Sequence, residues 1–150
     1  MQFGHEQLDV YRVSIRYVTW AYEVAGGLKG IDRRARDQLL RASQFIPLNI
    51  AEGNGKGTNA YRRRFFEIAR GSALECAAIQ DCLESCQALN ADRNTQGKAM
   101  LTRIVSMLTK LAQRRHKVRG DSGAYDELDY DNDNDNDNDN DNDNEVRDQG

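Results

Sequence analysis

The sequence predicts an all-α fold: an antiparallel up-down-up-down four-helix bundle in residues 1–120, followed by a disordered acidic C-terminal tail in residues 121–150. Over four stretches, apolar residues recur every three or four positions, which is the spacing of amphipathic helices. Short segments containing Gly, Asn or Asp separate these stretches. Because the connections are short, an up-down bundle is the simplest arrangement that buries all four apolar faces.

The first two helices are predicted over residues 6–28 and 33–52. Their apolar faces comprise Leu8, Tyr11, Ile15, Val18, Tyr22 and Ala25 in the first helix, and Leu39, Ala42, Ile46 and Ile50 in the second. Glycines end the first helix, and Asp32 is placed to cap the second. Pro47 lacks the N–H that would bond to the carbonyl of Ser43, which predicts a kink in the second helix.

The third and fourth helices are predicted over residues 59–89 and 93–118. Their apolar faces comprise Tyr61, Phe65, Ile68, Ser72, Glu75, Ile79, Cys82 and Cys86 in the third helix, and Leu101, Ile104, Leu108 and Leu111 in the fourth. Thr58 or Asn59 begins the third helix, and Asn90 with Asp92 supplies the turn and cap before the fourth.

A glycine-rich loop, G-N-G-K-G-T, joins the second and third helices at residues 53–58. Backbone N–H groups of such loops bind anions when a helix follows. A nucleotide-binding phosphate loop is excluded, because the G-x-x-x-x-G-K-[ST] spacing is missing and no strand precedes the loop. The segment is better interpreted as a helix hairpin with left-handed glycines, in which Lys56 can contact a phosphate.

Charge divides the chain into a basic bundle and an acidic tail. Residues 121–150 hold 13 of the 24 acidic residues and only one basic residue, Arg147. Residues 1–120 therefore hold 11 acidic residues against 20 lysines and arginines, a formal charge of +9, although the whole chain is at −3. A basic folded domain favours polyanionic partners such as RNA or DNA.

Basic side chains recur on three of the predicted helices, and Arg33, Arg34 and Arg36 add to the charge of the second. The predicted nucleic-acid contacts are Arg41, Lys56, Arg63, Arg70, Arg103, Lys110, Arg114 and Lys117. Such a surface binds the phosphate backbone without reading its sequence. The alternative is an ordinary solvated surface that is partly neutralised by internal pairs such as Arg63 with Glu67.

Several residues around the hairpin are expected to be structural: Ser43, Pro47, Asn49, Glu52, Gly53, Ser72 and Glu75. Four of them, Asn49, Glu52, Ser72 and Glu75, are predicted to face inward or an inter-subunit surface, where a buried hydrogen-bond network would fix helix register. A di-metal site is the alternative. It requires Glu-x-x-His pairs, and the two histidines, His5 and His116, lie near opposite ends of the bundle sequence. We therefore expect neither a metal nor another cofactor.

The three cysteines do not suggest a metal site or a catalytic site. Cys76 points about 120° away from Cys82 around a helix, so small core residues are the expected role of all three. An odd number of cysteines in one helix favours a reducing compartment, and the sequence shows no apolar run that could span a membrane. We expect a cytoplasmic protein without enzymatic activity, because no nucleophile–base set can be assembled.

From residue 121 the apolar pattern stops, and residues 131–144 alternate Asp and Asn without exception. A segment with so few apolar side chains cannot offset its ordering entropy by burial, which predicts disorder. The tract also lacks the glycine and the closing glutamate of a calcium-binding loop.

The segment from Ser43 to Glu75 resembles a known protein family. It reads S-x-x-I-P-x-N-I-A-E-G-x-G-K, followed by Tyr61, Phe65, Ile68-Ala69-Arg70-Gly71-Ser72 and Glu75. These elements, together with Leu8-Asp9-Val10-Tyr11, are similar in order and separation to those of the 23S ribosomal RNA intervening-sequence proteins. The resemblance covers about residues 3–118, and the acidic tail lies outside it.

This resemblance implies an antiparallel four-helix bundle that assembles as a ring-like homopentamer with basic surfaces. Proteins similar to these include the accessory variability determinants of diversity-generating retroelements, which bind nucleic acid and a reverse transcriptase. Other members are encoded within ribosomal RNA insertions. The motif contains no catalytic set, which agrees with the residue-by-residue interpretation.

The sequence therefore predicts a non-catalytic, oligomeric bundle that binds RNA or DNA through its basic helix faces. In a ring, modest contacts from each copy are multiplied by avidity. The alternative is a protein-interaction scaffold that docks a partner such as a reverse transcriptase and has no direct role in nucleic-acid binding.

Overall fold

The computed structural model describes residues 1–114, and this part contains four α-helices and no strand. The helices are α1 (Asp9–Ala25), α2 (Arg33–Asn54), α3 (Asn59–Ser85) and α4 (Ala91–Gln113). Short 3₁₀ turns at Gly4–Gln7 and Gly30–Asp32 precede α1 and α2. The all-α prediction is confirmed for this part. The fourth helix ends at Gln113, earlier than the predicted residue 118, because Arg114 has an extended backbone. The predicted domain boundary and the tail lie outside the described residues.

Each helix packs against two others: α1 against α2 and α4, and α3 against α2 and α4. The core between them is built mainly from aliphatic side chains, with Tyr17, Trp20 and Phe66 as its aromatic members. The predicted apolar face of α2 is confirmed, because all four of its residues are buried. In α4, Leu101, Ile104 and Leu108 are buried as predicted.

The predicted apolar faces of α1 and α3 are wrong. In α3 the buried residues are Phe66, Ala69, Ser72, Ala73, Cys76, Gln80 and Leu83, so that Ser72 is the one residue shared with the prediction. At 100° per residue, the predicted face lies about 90° around the helix from the buried one. Two predicted core residues, Tyr61 and Ile68, are 57% and 43% exposed.

A similar rotation affects α1, where Ala25 is the one buried residue of the predicted face. The observed core residues of this helix are Val10, Val13, Ser14, Tyr17, Trp20, Ala21, Val24 and Ala25. Both helices carry apolar residues on two faces, and the buried face of α3 includes small and polar side chains. Periodicity alone therefore selects the wrong face, because the tightly packed face is not the more hydrophobic one.

Two predicted helix caps are confirmed and one is wrong. The Thr58 hydroxyl accepts a hydrogen bond from the N–H of Tyr61 at 3.4 Å, and Asn90 Oδ1 accepts one from the N–H of Arg93 at 2.8 Å. Asp32 makes no side-chain capping bond. Since the 3₁₀ turn leads directly into α2, Asp32 already has helical dihedral angles and its side chain is not placed to cap.

The hairpin between α2 and α3 does not use left-handed glycines. Among the described glycines only Gly30 has a positive φ, of 62°. Gly53 lies inside α2, where a Cβ atom would be 3.0 Å from the ring of Phe66. A glycine is therefore required at position 53 because α3 packs closely against it, and not because of its backbone conformation. Helix α2 continues through the buried Pro47. One turn before it, the Ser43 hydroxyl donates a hydrogen bond to the carbonyl of Leu40 at 2.9 Å.

Candidate nucleic-acid interface

The predicted nucleic-acid contacts lie on the surfaces of three helices. Arg41 is exposed on α2, as are Arg63 and Arg70 on α3 and Arg103 and Lys110 on α4. Arg114 is exposed directly after α4, and Lys56 is half-buried in the connection between α2 and α3. Lys117 lies outside the described residues. The structure therefore distributes these cations over the bundle and does not gather them at one point.

Within the described part of the chain, most of these cations have no carboxylate partner. Within residues 1–114, the ion pairs are Asp9–Arg12, Arg36–Asp37, Arg63–Glu67, Glu23–Arg93 and Asp81–Lys98. The predicted internal pair of Arg63 and Glu67 is confirmed, with Nε 3.0 Å from Oε1. In the same part of the chain, no acidic side chain pairs with Arg41, Arg70, Arg103, Lys110 or Arg114. Among residues 1–114, their charge is therefore not neutralised by an ion pair.

Two of the predicted contacts lie over aromatic rings. The Arg41 guanidinium carbon is 5.3 Å from the centre of the Phe45 ring, and Lys56 Nζ is 4.8 Å from that of Phe65. A cation–π contact restrains a long side chain but leaves its charge uncompensated. Both side chains are thereby positioned at low cost for a further contact with a phosphate.

The polar residues predicted to form a buried network are mostly at the surface. Ser72 is buried, whereas Asn49 is half-buried and donates from Nδ2 to the carbonyl of Phe45 at 2.7 Å. Glu52 and Glu75 are exposed, because an unpaired carboxylate in the core would carry a large desolvation cost. A location of these residues at an inter-subunit surface stays a prediction.

A buried hydrogen-bond network does exist, but it uses other residues. The Tyr17 hydroxyl donates to Gln80 Oε1 at 2.6 Å, and Gln80 Nε2 donates to Asn94 Oδ1 at 2.8 Å and to the Asn94 carbonyl at 3.2 Å. Asn94 Nδ2 in turn donates to the carboxylates of Asp81 and Glu84. These bonds connect α1, α3 and α4, so they fix the relative register of three helices. The sequence contains one signal of this network: Gln80 continues the three- and four-residue spacing of Ala69, Ala73 and Cys76, which places it on the same helix face.

The three cysteines differ in environment. Cys76 is fully buried beside Tyr17, whereas Cys82 and Cys86 are exposed near the end of α3. Burial raises the pKa of the Cys76 thiol to about 12 and also raises the pKa of Tyr17 above its usual range. The prediction of a core position is thus confirmed for Cys76 and wrong for the other two.

This difference predicts that two of the three thiols react in the folded protein. Since the thiolate is the reactive species, burial and a raised pKa both protect Cys76. With dithiobis(nitrobenzoate) near neutral pH, we expect Cys82 and Cys86 to react rapidly and the third thiol to react only after urea is added. A Cys76→Ala variant should lose the slow thiol alone. Equal rates for all three thiols would contradict the described packing of α3.

Two features of other protein classes are missing from residues 1–114. No group of three His, Cys, Asp or Glu side chains in this range could hold a metal ion. No helix within these residues is both long and apolar enough to cross a membrane.

The chain is similar to a known protein family and to a solved structure. A family model described as 23S rRNA-intervening sequence protein matches residues 6–110. The fold is similar to the crystal structure of a protein of unknown function from the S23 ribosomal protein family of Bacteroides thetaiotaomicron, with a TM-score of 0.65 and 17% sequence identity. That match covers 70% of this chain and 99% of the other, and at this identity it supports the fold alone. None of the curated proteins matches the sequence.

Proposed function

The chain belongs to the family of 23S rRNA-intervening sequence proteins, and from this premise we propose that it is a non-catalytic bundle that binds RNA or DNA backbone through its basic helix faces. The resemblance of the segment from Ser43 to Glu75 to this family is confirmed by the family match. Family membership does not itself assign a biochemical role, so the proposal depends on the charges of the chain.

The observation that carries the proposal is the number of surface cations that form no ion pair with another of residues 1–114. Arg41, Arg70, Arg103, Lys110 and Arg114 have no ion pair among residues 1–114. On an ordinary solvated surface, interspersed acidic side chains balance the charge of the cations, whereas residues 1–120 carry a formal excess of +9. Unpaired arginines and lysines on several helices instead favour the binding of a polyanion. Contacts with its phosphates do not depend on the nucleotide sequence.

We propose that the helices follow the antiparallel up-down order and that the bundle assembles as a homopentamer. Short connections between successive helices support the helix order. Exposed apolar side chains support the assembly, because a monomer gains nothing by exposing them. On α2 and α3 these side chains are Phe45, Leu48, Tyr61, Ile68 and Leu74. Several copies in one ring would multiply weak phosphate contacts.

The same exposed apolar side chains favour a second candidate function, a scaffold that docks a partner protein. A reverse transcriptase of a diversity-generating retroelement would be such a partner, and a protein encoded in a ribosomal RNA insertion is the other setting that the family resemblance suggests. In this case the charge serves solubility, and the affinity for the partner changes little with salt. A cytoplasmic location is part of either proposal.

Titration of a labelled nucleic-acid duplex at several salt concentrations tests the proposal. We expect affinity to fall steeply between about 50 and 200 mM salt, since each phosphate contact contributes about 0.9 to the slope of log K against log salt. An Arg103→Gln/Lys110→Gln variant should lower this slope by about one to two. Fluorescence anisotropy with the full chain provides the measurement.

The matched control is Arg12→Gln/Lys98→Gln, which removes two cations that already have carboxylate partners, Asp9 and Asp81. It should leave the slope nearly unchanged, because a paired cation is less available to phosphate. Binding that is absent, or that does not depend on salt, would contradict the proposal and favour the scaffold.

A further inference from the structure

A cavity of about 530 Å³ that is widely open to solvent lies at the start of α2, where the connection from α1 meets the first turns of the helix. Its wall includes Ile31, Arg33, Arg34, Asp37, Gln38 and Arg41. This volume falls within the range of small-molecule sites in proteins. The cavity is therefore large enough for a phosphate group with an attached nucleoside.

The cavity carries uncompensated positive charge. Asp37 already accepts a hydrogen bond from Arg36 Nε at 3.0 Å, so its carboxylate is engaged. In the part of the chain that the structure describes, no acidic side chain pairs with Arg33, Arg34 or Arg41. Three guanidinium groups thus line one cavity, and each has a planar set of donors suited to two oxygen atoms of a phosphate.

Helix geometry places two of these three guanidinium groups, those of Arg34 and Arg41, on one side of α2. Arg34, Gln38 and Arg41 are separated by four and three residues, so they lie on the same helix face. The contact of the Arg41 guanidinium with the Phe45 ring limits the freedom of the side chain before any ligand binds. The Gln38 amide between the two arginines adds a neutral donor that can bond to a sugar or a phosphate oxygen.

An apolar side chain lies at the edge of the same cavity. The left-handed conformation of Gly30 turns the chain before α2, and no atom lies within 4 Å of the position of a Cβ there. The next residue, Ile31, is 97% exposed. An exposed isoleucine beside arginines gives an attached base or sugar an apolar surface to pack against.

We propose that this cavity binds a phosphate monoester, either at the 5′ end of a nucleic-acid strand or on a mononucleotide. A monoester carries a charge of about −1.5 to −2 at neutral pH and three acceptor oxygens, whereas a backbone diester carries a single negative charge. Three arginines around one cavity match the monoester better than the diester. The inference rests on the proposed nucleic-acid function and deepens it, by assigning the strand end to the start of α2.

The test uses a single-stranded oligonucleotide that is labelled at its 3′ end and carries either a 5′-phosphate or a 5′-hydroxyl. We expect the full chain to bind the phosphorylated form about tenfold more tightly, the effect of one additional charge-assisted contact. In an Arg33→Gln/Arg34→Gln variant, the ratio of the two dissociation constants should fall to about one. Equal affinities in the unaltered chain, or a ratio that survives in the variant, would overturn the inference.

The control variant, Arg16→Gln/Arg64→Gln, removes the same charge from exposed arginines that do not line the cavity. It should weaken the binding of both oligonucleotides equally and keep their ratio, because only the overall attraction is reduced. If the ratio is lost in this control as well, the preference arises from net charge and the cavity is not the site.

Adenosine monophosphate, compared with adenosine, separates this inference from the proposed function. We expect the monophosphate alone to raise the melting temperature of the unaltered chain, and to have no effect on Arg33→Gln/Arg34→Gln. A response to the monophosphate without binding of either oligonucleotide would uphold the cavity and contradict the nucleic-acid function. Equal binding of both oligonucleotides without this response would contradict the cavity alone.

Discussion

Replacing Gly97 by alanine should lower the free energy of unfolding by about 2 kcal/mol. A Cβ atom at this position would lie 2.7 Å from two ring atoms of Trp20 and 2.7 Å from Gln80 Nε2. Neither group can move away easily. The Trp20 ring is buried and stacks on Tyr17 with ring centres 5.4 Å apart, and the Gln80 amide is held by hydrogen bonds on both sides.

The matched control for this substitution is Gly71→Ala. Gly71 also lies inside a helix, α3, but no atom lies within 4 Å of the position of its Cβ. Alanine there should raise stability by up to about 1 kcal/mol, which is its advantage over glycine in helix propensity. Urea denaturation followed by the fluorescence of Trp20, the one tryptophan of the chain, measures both variants. If both alanines stabilised the protein, the close approach of α4 to Trp20 would be wrong.

Replacing Gln80 by leucine should lower the free energy of unfolding by about 3 kcal/mol. The substitution removes a fully buried amide and leaves the Tyr17 hydroxyl and Asn94 Oδ1 without the hydrogen bonds that Gln80 makes to them. Each buried group that loses its bond costs about 1–3 kcal/mol, and the apolar surface of leucine offsets only part of this.

A double-mutant cycle with Tyr17→Phe identifies the bond responsible. Tyr17→Phe alone should cost about 1 kcal/mol, because it removes one donor and keeps the ring in place. In the double variant the two losses should not add, since both substitutions break the same bond. Additive losses would show that Tyr17 and Gln80 act independently, and a neutral Gln80→Leu would contradict a buried network.

The fold class could be predicted from the sequence, and the buried faces only in part. In α2 and α4 most of the large aliphatic residues recur on the buried face, so the spacing of Ile46 and Ile50, or of Ile104 and Leu108, identified the core. In α3 the exposed face carries Tyr61 and Ile68, while the buried face carries Ala69 and Gln80. A small or polar residue becomes part of the core only through its partners on other helices, which a single sequence does not reveal.

The candidate interface shows the same limit. The ion pair of Arg63 with Glu67 could be predicted from the sequence, because oppositely charged side chains four residues apart are neighbours on a helix. The charge balance of the bundle indicated a basic surface, but it did not rank individual arginines. The cavity beside Arg33 and Arg34 depends on how the chain turns at Gly30 before α2 begins. Residues that a turn brings together in this way are not marked by a periodic pattern in the sequence.

The exposed pair of cysteines near the end of α3 gives the protein native attachment points for spin labels. Cys82 lies in the last turn of α3 and Cys86 is the residue that follows the helix, so labels at the two sites report on nearly the same position. In any symmetric assembly, the set of label-to-label distances between subunits depends on the number of copies and their symmetry. Dipolar spectroscopy on the unmodified sequence would therefore count the subunits without an engineered cysteine.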